Sequence, residues 1–357
     1  MQASDEQSVA RLFNEKPMVV GPIRLRYDRG PRFQSLLRAQ GSKYLTVVGS
    51  EKGDIVFTAS VSSTRRYVDG KEIGVSYLGD LRVKSSTRAS RWWRKAYPDF
   101  LELIETSEEL GRPDRHLTAV LRENLAAIQA LSRSRHSFGV RYEAIRDVHM
   151  VNVIGGLAKR GGTESRMMRP EEFPEILSFI EERARSRNFG YKFPEELYRR
   201  ATEWPGLDRM KFLLTEDGRG LRSVCLPWSP TSLKKMVVDE APWAARTGFS
   251  LLKLFGRTPP RVGEPLETVY LTHAYWRDDV DPMAEMRSFV RSLTKGGIYR
   301  RSHMISFCAH EAAWAKSPEL RGLLKQVTPV SLFEVLKEGR PSSPPSTALL
   351  DFEMGLV

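Results

Sequence analysis

The stretch "YLGDLRVKSSTRASRWWRK", residues 77–95, begins as an apolar strand and then changes abruptly into a segment rich in arginine and tryptophan. A strand that ends in a turn leading into a helix presents unpaired backbone N–H groups at the positive end of the helix dipole. Such a turn is an anion site by geometry, and Arg88 and Arg91 would add charge-assisted hydrogen bonds to a phosphate. The alternative is a solvated basic helix face, with Trp92 and Trp93 packed partly into the core. The charge pattern alone favours this second interpretation.

The segments on either side predict an α/β unit. Residues 54–68 are rich in β-branched residues and are followed by a turn signal, which predicts an antiparallel hairpin with residues 74–83. Residues 92–110 have helical character, and we expect Pro98 to interrupt this helix near its start. The unit is completed by a compact strand at 116–121, a further helix, and one or two strands within 140–154.

The order of elements begins again in the second half of the chain. "YLTHAYW" (270–276) aligns with "YLGDLRV" (77–83), and a helix and then a strand are predicted after each. A second copy of one α/β unit explains the chain length, and an unrelated second domain is the alternative. The predicted division has a first domain at 1–158, a second domain at 164–339 and a Pro/Ser-rich C-terminal tail at 340–357, which we expect to be exposed.

Composition indicates a globular protein with anionic partners. The chain has 357 residues, of which 41% are apolar, and this length favours two domains. Lysine and arginine outnumber aspartate and glutamate by 56 to 44, which gives a formal net charge of +12. This excess favours nucleic acid, phosphorylated cofactors or acidic surfaces as partners and does not choose among them.

Several classes of protein are disfavoured by the sequence. Cys225 and Cys308 form no C-x-x-C pair, so we expect neither a disulfide framework nor a zinc ribbon, and a reducing cytoplasm fits best. "HEAAW" (310–314) lacks the second histidine of H-E-x-x-H, so no metal site is expected. The N-terminus carries charges where a signal peptide needs an apolar core, and no run approaches the ~18 apolar residues of a membrane span. We therefore expect a cytoplasmic protein without a membrane partner.

The spacing of residues 81–91 resembles a known cofactor motif. "LRV" (81–83), followed by "RASR" (88–91), is similar to the strand and loop of the GNAT superfamily of N-acetyltransferases, in which L-x-V runs into R-G-x-G-x-G/A or Q-G-x-G-x-G/A. The upstream hairpin and the downstream "LTAVLRENLAAIQAL" (117–131) extend the resemblance over residues 20–150. It implies an α/β (α+β) fold of two GNAT-like domains, each with a mixed, mostly antiparallel twisted sheet flanked by helices.

The resemblance also implies which residues bind the cofactor, acetyl-coenzyme A (acetyl-CoA). The strand of Leu81, Arg82 and Val83 would offer backbone groups to the pantetheine arm, and Asn124 would contact the cofactor from the next helix. The pyrophosphate loop would consist of six residues, Arg88, Ala89, Ser90, Arg91, Trp92 and Trp93. This loop departs from the family pattern, because the first glycine is replaced by Ala89 and the two later small positions hold Arg91 and Trp93.

Acyl transfer to an amine requires the amine to be neutral, so a base is expected near the reacting carbonyl. Asp80 lies on the strand that would flank the acyl group, and a β-bulge could re-aim its carboxylate, whereas pairing with Arg82 or a lysine is the alternative. Leu131 stands where the family has the tyrosine that protonates the departing thiolate, and Tyr142 is the nearest tyrosine. His273 takes the place of Asp80 in the second half, with a purely structural role as the alternative.

The sequence therefore predicts an N-acetyltransferase that moves the acetyl group of acetyl-CoA to a primary amine of unknown identity. The alternative function is that of a catalytically silent GNAT-like protein, whose altered loop recognises an acidic partner or nucleic acid. The expected partners are therefore acetyl-CoA and an amine acceptor. Nucleic acid is possible as a partner but is not favoured.

Overall fold

A computed structural model describes the chain apart from residues 2, 16–17, 21–22, 30–31, 134–138, 157–162, 193–203, 209–210, 244–249, 251–252, 254–257, 296–301, 342–347, 354 and 356–357. The described residues form one broad mixed β-sheet with helices packed against it and a second, small sheet. The predicted α/β (α+β) class, a mixed and mostly antiparallel twisted sheet flanked by helices, is confirmed.

The helices and strands of the described residues are numbered in chain order. The α-helices are α1 (Glu6–Asn14), α2 (Gln34–Gln40), α3 (Thr87–Thr106), α4 (Leu125–Arg133), α5 (Phe173–Arg185), α6 (Pro282–Lys295) and α7 (Ala312–Ala315). The strands are β1 (Met18–Val20), β2 (Ile23–Asp28), β3 (Lys43–Glu51), β4 (Asp54–Val68), β5 (Lys71–Val83), β6 (Arg115–Leu121), β7 (Val140–Gly156), β8 (Arg166–Met167), β9 (Gly190–Tyr191), β10 (Leu213–Asp217), β11 (Gly220–Trp228), β12 (Lys235–Glu240), β13 (Thr268–Trp276), β14 (Met304–Ala309) and β15 (Leu323–Lys337).

The broad sheet has the strand order β3-β4-β5-β6-β15-β7-β14-β13-β11-β10-β8, and β9 pairs with β4 outside this path. Neighbouring strands are antiparallel with two exceptions, since β5 with β6 and β13 with β14 are parallel pairs. The small sheet joins β1, β2 and β12 in antiparallel pairs. Because β2 comes from the first half of the chain and β12 from the second, this sheet connects the two halves.

The broad sheet runs without a break across the predicted domain division. Strand β15, close to the C-terminus, lies between β6 and β7, and β7 pairs with β14 along its other edge. The two halves of the chain therefore exchange strands at the centre of the sheet. The predicted division falls between residues 158 and 164, where 159–162 lie outside the described residues, and the two-domain organisation stays a prediction.

Helix α3 begins earlier than the sequence pattern predicts. Ser86 has an extended backbone, and its Oγ accepts a hydrogen bond from the N–H of Ala89 at 3.0 Å, which makes it the N-cap. The helix continues through Pro98, so the predicted interruption there is wrong. Buried side chains on both sides of the proline, including Trp93 and Leu101, hold the helix against the sheet, and tertiary packing outweighs the local preference.

The opposite face of β3, β4 and β5 is covered by the N-terminal segment. Val9 and Phe13 of α1 and Leu37 of α2 pack with Ile55 of β4 in one apolar cluster. Strand β4 therefore has packing on both faces, which explains its near-continuous burial. Strand β2 belongs to the same covering layer, and this places the residues that follow it beside β5.

The C-terminal tail is not exposed throughout, which corrects the expectation from its composition. Leu350 and Phe352 are buried, and so are the carboxylate side chains of Asp351 and Glu353. Asn188 holds the segment in place, because its N–H donates to the carbonyl of residue 349 and its carbonyl accepts the N–H of Asp351, both at 2.8 Å. The Pro/Ser-rich composition of 340–347 does not extend to these residues.

Candidate functional site

Strands β5 and β6 form a parallel pair that opens after a few residues. The pairing ends at Tyr77, opposite Leu117, and beyond it Thr118 Oγ1 donates to the carbonyl of Leu78 at 2.9 Å. Asp80 has a positive φ of 56°, and the pairing register of β4 with β5 shifts at this point. A β-bulge is therefore present at Asp80. We term the opening beyond Tyr77 and Leu117 the first wedge.

Strands β13 and β14 open in the same way. Their parallel pairing ends at Tyr270, opposite Ser306, and His273 has a positive φ of 50°. The pairing register of β11 with β13 also shifts beside this residue. Asp80 and His273 thus occupy equivalent positions on their strands, as the alignment of "YLGD" with "YLTH" predicts. We term the opening beyond Tyr270 and Ser306 the second wedge.

The helices that follow the two wedge strands begin with opposite charge. Helix α3 has the neutral cap Ser86, no acidic residue in its first turn, and the basic residues Arg88 and Arg91 in its first two turns. Helix α6 follows Asp281, whose Oδ1 accepts the N–H of Met283 at 2.9 Å. Helix N-termini stabilise anions. The start of α6 is already capped by a carboxylate of the chain, whereas the start of α3 is suited to an anionic ligand.

The six residues predicted as a pyrophosphate loop, Arg88 to Trp93, lie instead in the first two turns of α3. The connection between strand and helix is only residues 84–86, because the Ser86 cap starts the helix directly after it. Ala89 is buried, Ser90 is half-buried and Arg91 is exposed. The first N–H groups of the helix have no intrahelical acceptor and point toward this short connection.

The remaining side chains of this stretch divide between solvent and core. Arg88 is 79% exposed and forms a 2.7 Å ion pair with Glu51 at the end of β3. An ion pair this exposed is weak, so Arg88 can exchange partners. Trp92 is exposed and meets the ring of Phe57 edge-on at 5.8 Å, whereas Trp93 is buried against the same ring at 5.3 Å.

The strand residues at the mouth of the first wedge point to two faces of the sheet. Leu81 is 39% exposed, and Val83 packs into the core beneath α3. Arg82 lies on the other face, where its guanidinium covers the ring of Phe13 at 4.7 Å. The backbone of 81–83 therefore borders the wedge, whereas these three side chains do not converge on one point.

Asn124 and Tyr142 have internal partners. Asn124 Oδ1 accepts the N–H of Ala127 at 3.2 Å and so caps α4. Tyr142 lies on β7, and its hydroxyl donates to the hydroxyl of Tyr97 at 2.5 Å. Burial, with the neighbouring Tyr97 adding to the effect, raises the pKa of Tyr142. Tyr142 therefore stays protonated, as a proton donor must, and its proton is directed at Tyr97.

Asp80 is held by an arginine that the sequence analysis did not identify. Arg29 follows β2, and its Nη2 donates to Asp80 Oδ1, with both side chains less than a tenth exposed. The sequence offered pairing with Arg82 or a lysine as the alternative to a catalytic role, and the partner in the structure is Arg29 instead. Within the described part of the chain, Asp80 Oδ2 and Arg29 Nε and Nη1 are buried without a hydrogen-bond partner. Buried polar groups are ordinarily satisfied, so these atoms mark a place for a ligand or water.

Lys234 approaches the Arg29–Asp80 pair from the second half of the chain. Strand β12 pairs with β2 so that Met236 is opposite Tyr27, and Lys234 Nζ lies 5.9 Å from the centroid of the Tyr27 ring. Burial, and then the nearby Arg29, lowers the pKa of Lys234 to about 7, while Asp80 opposes the change. Burial raises the pKa of Tyr27 to about 12. We term Tyr27, Arg29, Asp80 and Lys234 the junction cluster, because it connects the two halves.

The second wedge is filled by the C-terminal segment. Glu353 Oε1 accepts the backbone N–H of His273 at 3.0 Å, and Asp351 accepts a hydrogen bond from the hydroxyl of Tyr275. Phe352, between them in sequence, is buried in an apolar cluster that includes Tyr270. The cavity that remains has a volume of only about 20 Å³. His273, a candidate from the sequence, therefore faces groups of its own chain, and its role stays a prediction.

Two further features bear on the sequence expectations. Among the residues that the structure describes, no three His, Cys, Asp or Glu side chains are grouped in a way that could hold a metal ion. His310 of "HEAAW" is buried and meets the ring of Trp314 edge-on at 5.6 Å. No helix in the described ranges is both long and apolar enough to cross a lipid bilayer.

The sequence analysis missed most of the junction cluster. Arg29 and Lys234 are single basic residues among the 56 of the chain, and no local pattern distinguishes them. Tyr77 and Tyr270 were signalled by the aligned "YLGD" and "YLTH" segments, but not as residues that end a strand pairing. For the C-terminal segment, the alternating pattern "LDFE" (350–353) was a weak signal of a buried extended strand.

Comparison with known proteins identifies the fold. No family model and no curated protein sequence matches the chain. The crystal structure of Saccharomyces cerevisiae N-myristoyltransferase with bound myristoyl-CoA is similar with a TM-score of 0.54 and 12% identity, covering 92% of this chain and 79% of that chain. A structure of the same yeast enzyme with myristoyl-CoA and inhibitors has a TM-score of 0.56 and 11% identity, with coverage of 93% and 78%. At such identities the likeness shows the fold alone, and the chain shares the fold of these N-myristoyltransferase structures.

Proposed function

We propose that the chain is an N-acyltransferase whose acyl-CoA donor binds in the first wedge. One observation carries the proposal: a parallel strand pair opens after Tyr77, and the same strand leads into a helix that starts with a neutral cap and basic side chains. An opened pair leaves backbone groups of β5 without strand partners, and a helix start binds phosphate. A CoA thioester has amides that can pair with the backbone groups of β5 and a pyrophosphate that can bind at the helix start.

In this proposal the donor lies along β5. The backbone of Leu81, Arg82 and Val83 binds the pantetheine arm, and the start of α3 with Arg88 and Arg91 binds the pyrophosphate. Arg88 exchanges its weak pair with Glu51 for the more highly charged phosphate. Backbone N–H groups near the bulge polarise the thioester carbonyl, and the orientation of donor and acceptor supplies much of the rate increase.

The second wedge is excluded as the donor site in this proposal, because two properties oppose a CoA ligand there. Its space is taken by Asp351, Phe352 and Glu353. Its following helix begins beside Asp281, and a second anion at that place would be repelled. We therefore expect one donor for each chain.

Acetyl-CoA is the donor that the GNAT resemblance implies. The similar yeast N-myristoyltransferase structures contain myristoyl-CoA, and this supports a CoA thioester as donor while leaving the acyl length open. The acceptor in our proposal is a primary amine. Asp80 binds its ammonium form through the unpartnered Oδ2, Tyr142 is the candidate acid for the thiolate, and Asn124 is a candidate cofactor contact at the start of α4.

The proposal is tested by calorimetric titration with acetyl-CoA, octanoyl-CoA and myristoyl-CoA. We expect binding of at least one donor in the micromolar range, and about tenfold weaker binding after Arg88→Ala or Arg91→Ala, because each change removes a charge-assisted hydrogen bond. Lys95→Ala is the matched control, since Lys95 is exposed on the same helix one turn further from its start. No heat and no thermal shift at millimolar donor would contradict the proposal.

A further inference from the structure

The junction cluster lies on the side of β5 from which an acceptor has to come. Leu78 and Val83 pack beneath α3 on one face of the sheet. Asp80 and Arg82 point to the other face, toward Arg29 and Phe13. If the donor approaches along α3, as proposed above, the acceptor amine reaches the thioester from the face that carries the junction cluster. The inference that follows rests on that proposed function.

The cluster carries more positive than negative charge. Arg29, Arg82 and Lys234 share this space with one carboxylate, that of Asp80. Positive neighbours and burial both disfavour the charged form of an amine. Lys234 responds to this environment, since burial and Arg29 lower the pKa of its own amine to about 7. A substrate amine bound at Asp80 Oδ2 is held as its ammonium by the carboxylate, so a neutral base beside it has to take the proton.

The backbone that carries Lys234 is fixed. The N–H groups of Leu233 and Lys234 both donate to the carbonyl of Pro230 at 2.8 Å, and Leu233 is buried in the core of the second half. The side chain of Lys234 therefore extends toward the cluster from a fixed backbone. The titratable and charged groups that face the cluster are Tyr27 on β2, Arg29 just after it, Tyr77, Asp80 and Arg82 on β5, and Tyr270 on β13.

We propose that Lys234 is the general base of the acyl transfer and that the acceptor ammonium binds to Asp80 Oδ2 beside it. An N–H bond of the ammonium breaks, and its proton moves to Lys234 Nζ. The lone pair of the neutral amine then forms the C–N bond at the thioester carbonyl, and the C–S bond breaks. Tyr142, the candidate acid, protonates the CoA thiolate and is reprotonated by the second amine proton, and Lys234 returns its proton to solvent.

A labelling experiment tests the state of Lys234 without an acceptor. The full chain is treated with limiting acetic anhydride between pH 6 and 11, and the modified lysines are quantified by peptide mass spectrometry. We expect the labelling of Lys234 to rise with pH around a midpoint near its lowered pKa of about 7. The other lysines serve as internal standards, with an ordinary pKa of ~10.4. A Lys234 midpoint above ~9 would overturn the inference, because such an amine is protonated at neutral pH.

A kinetic experiment tests the role of Lys234. Release of CoA thiol from acetyl-CoA is followed with two probe amines, ethylamine, whose ammonium has to be deprotonated, and hydroxylamine, which is neutral at the assay pH of 7.5. We expect Lys234→Met to slow the ethylamine reaction ~100-fold or more and the hydroxylamine reaction less than ~3-fold. Lys234→Arg keeps the charge but accepts no proton, so it should behave like Lys234→Met. Lys235→Met, at the neighbouring half-buried lysine, is the control.

The outcomes separate this inference from the proposed function. An equal loss of rate with both amines, or full activity of Lys234→Arg, overturns the role of Lys234 while donor binding in calorimetry persists. If the unmodified chain binds none of the three acyl-CoA donors, the proposed function fails and the inference fails with it.

Discussion

In the first wedge, β5 separates from β6 after Tyr77 and the bulge residue Asp80 pairs with Arg29. In the second wedge, β13 separates from β14 after Tyr270 and the backbone of the bulge residue His273 binds Glu353. The backbone geometry is repeated, down to the positive φ of the bulge residue. The occupants differ, because the chain's own C-terminal segment fills the second wedge.

The comparison shows that the same backbone geometry can serve two purposes. The residues around the open strand pair determine whether protein or ligand fills it. A cavity lined by buried backbone groups has to be filled by protein, ligand or water. The chain fills one wedge itself and places carboxylates there, and it places arginines and a neutral helix cap beside the other. The predictions below break or sharpen this contrast, from the largest expected effect to the smallest.

Emptying the second wedge should have the largest effect on stability. Phe352→Ala removes an aromatic side chain that is buried in an apolar cluster, and we expect a loss of roughly 3–5 kcal/mol in the free energy of unfolding. Urea denaturation measures this loss. Pro341→Ala, at an exposed position of the same tail, is the control. A loss below about 1 kcal/mol for Phe352→Ala would mean that the segment is not part of the folded core.

Breaking the buried ion pair of the first wedge should cost nearly as much. Arg29→Met leaves the Asp80 carboxylate buried and unpaired, and we expect a loss of about 3 kcal/mol. The double variant Arg29→Met with Asp80→Asn should recover at least half of this loss, because no charge is then left uncompensated. Glu353→Gln in the second wedge keeps an oxygen acceptor for the N–H of His273 and should cost less than about 1 kcal/mol. Additive losses of the two changes in the double variant would show that the pair is not coupled.

The two regions should titrate in separate pH windows. Lys234 has an ordinary pKa of 10.5 and a folded pKa of about 7, so between these values the unfolded chain holds more protons and stability rises with pH. Burial, and then Arg187, lowers the pKa of His310 beside the second wedge from 6.5 to about 3, so stability is lost as pH falls from 6.5 toward 3.

The contribution of each group to the pH dependence of stability can be removed by one substitution. Lys234→Met should flatten the slope of unfolding free energy against pH between 7 and 10.5, and His310→Phe should flatten it between 3 and 6.5. Denaturant titrations at several pH values measure both slopes. If either variant keeps the slope of the unmodified chain in its own window, that group is not responsible for the pH dependence.

Removing the helix caps should have the smallest effect. Ser86→Ala removes the acceptor for the N–H of Ala89, and Asp281→Ala removes the acceptor for the N–H of Met283; each should cost about 1 kcal/mol. Ser86→Gly should cost only a few tenths of a kcal/mol, because glycine is itself tolerated at this position. Thermal unfolding measures the three variants. A Ser86→Ala loss of no more than a few tenths of a kcal/mol would mean that the Oγ hydrogen bond is not what stabilises the start of α3.

Local patterns predicted the parts of this protein that depend on neighbours in the chain. The β-branched run of β4, the hairpin with β5, and the equivalence of Asp80 and His273 follow from side-chain alternation and from two aligned short segments. The start of α3 was also encoded locally, since Ser86 precedes the helix as an N-cap residue, although the arginine-rich stretch after it was interpreted as a loop.

By itself, therefore, the sequence determined the fold class, the strand that carries each bulge and the basic start of α3. Only the tertiary structure decided that Asp80 pairs with Arg29, 51 positions away, and that Glu353 reaches His273 across 80 positions. It also decided that Lys234 lies beside the first wedge, since β12 pairs with β2. The physical reason is that propensity and periodicity act over a few residues, whereas these contacts depend on which strands pair and on what the remaining space can hold.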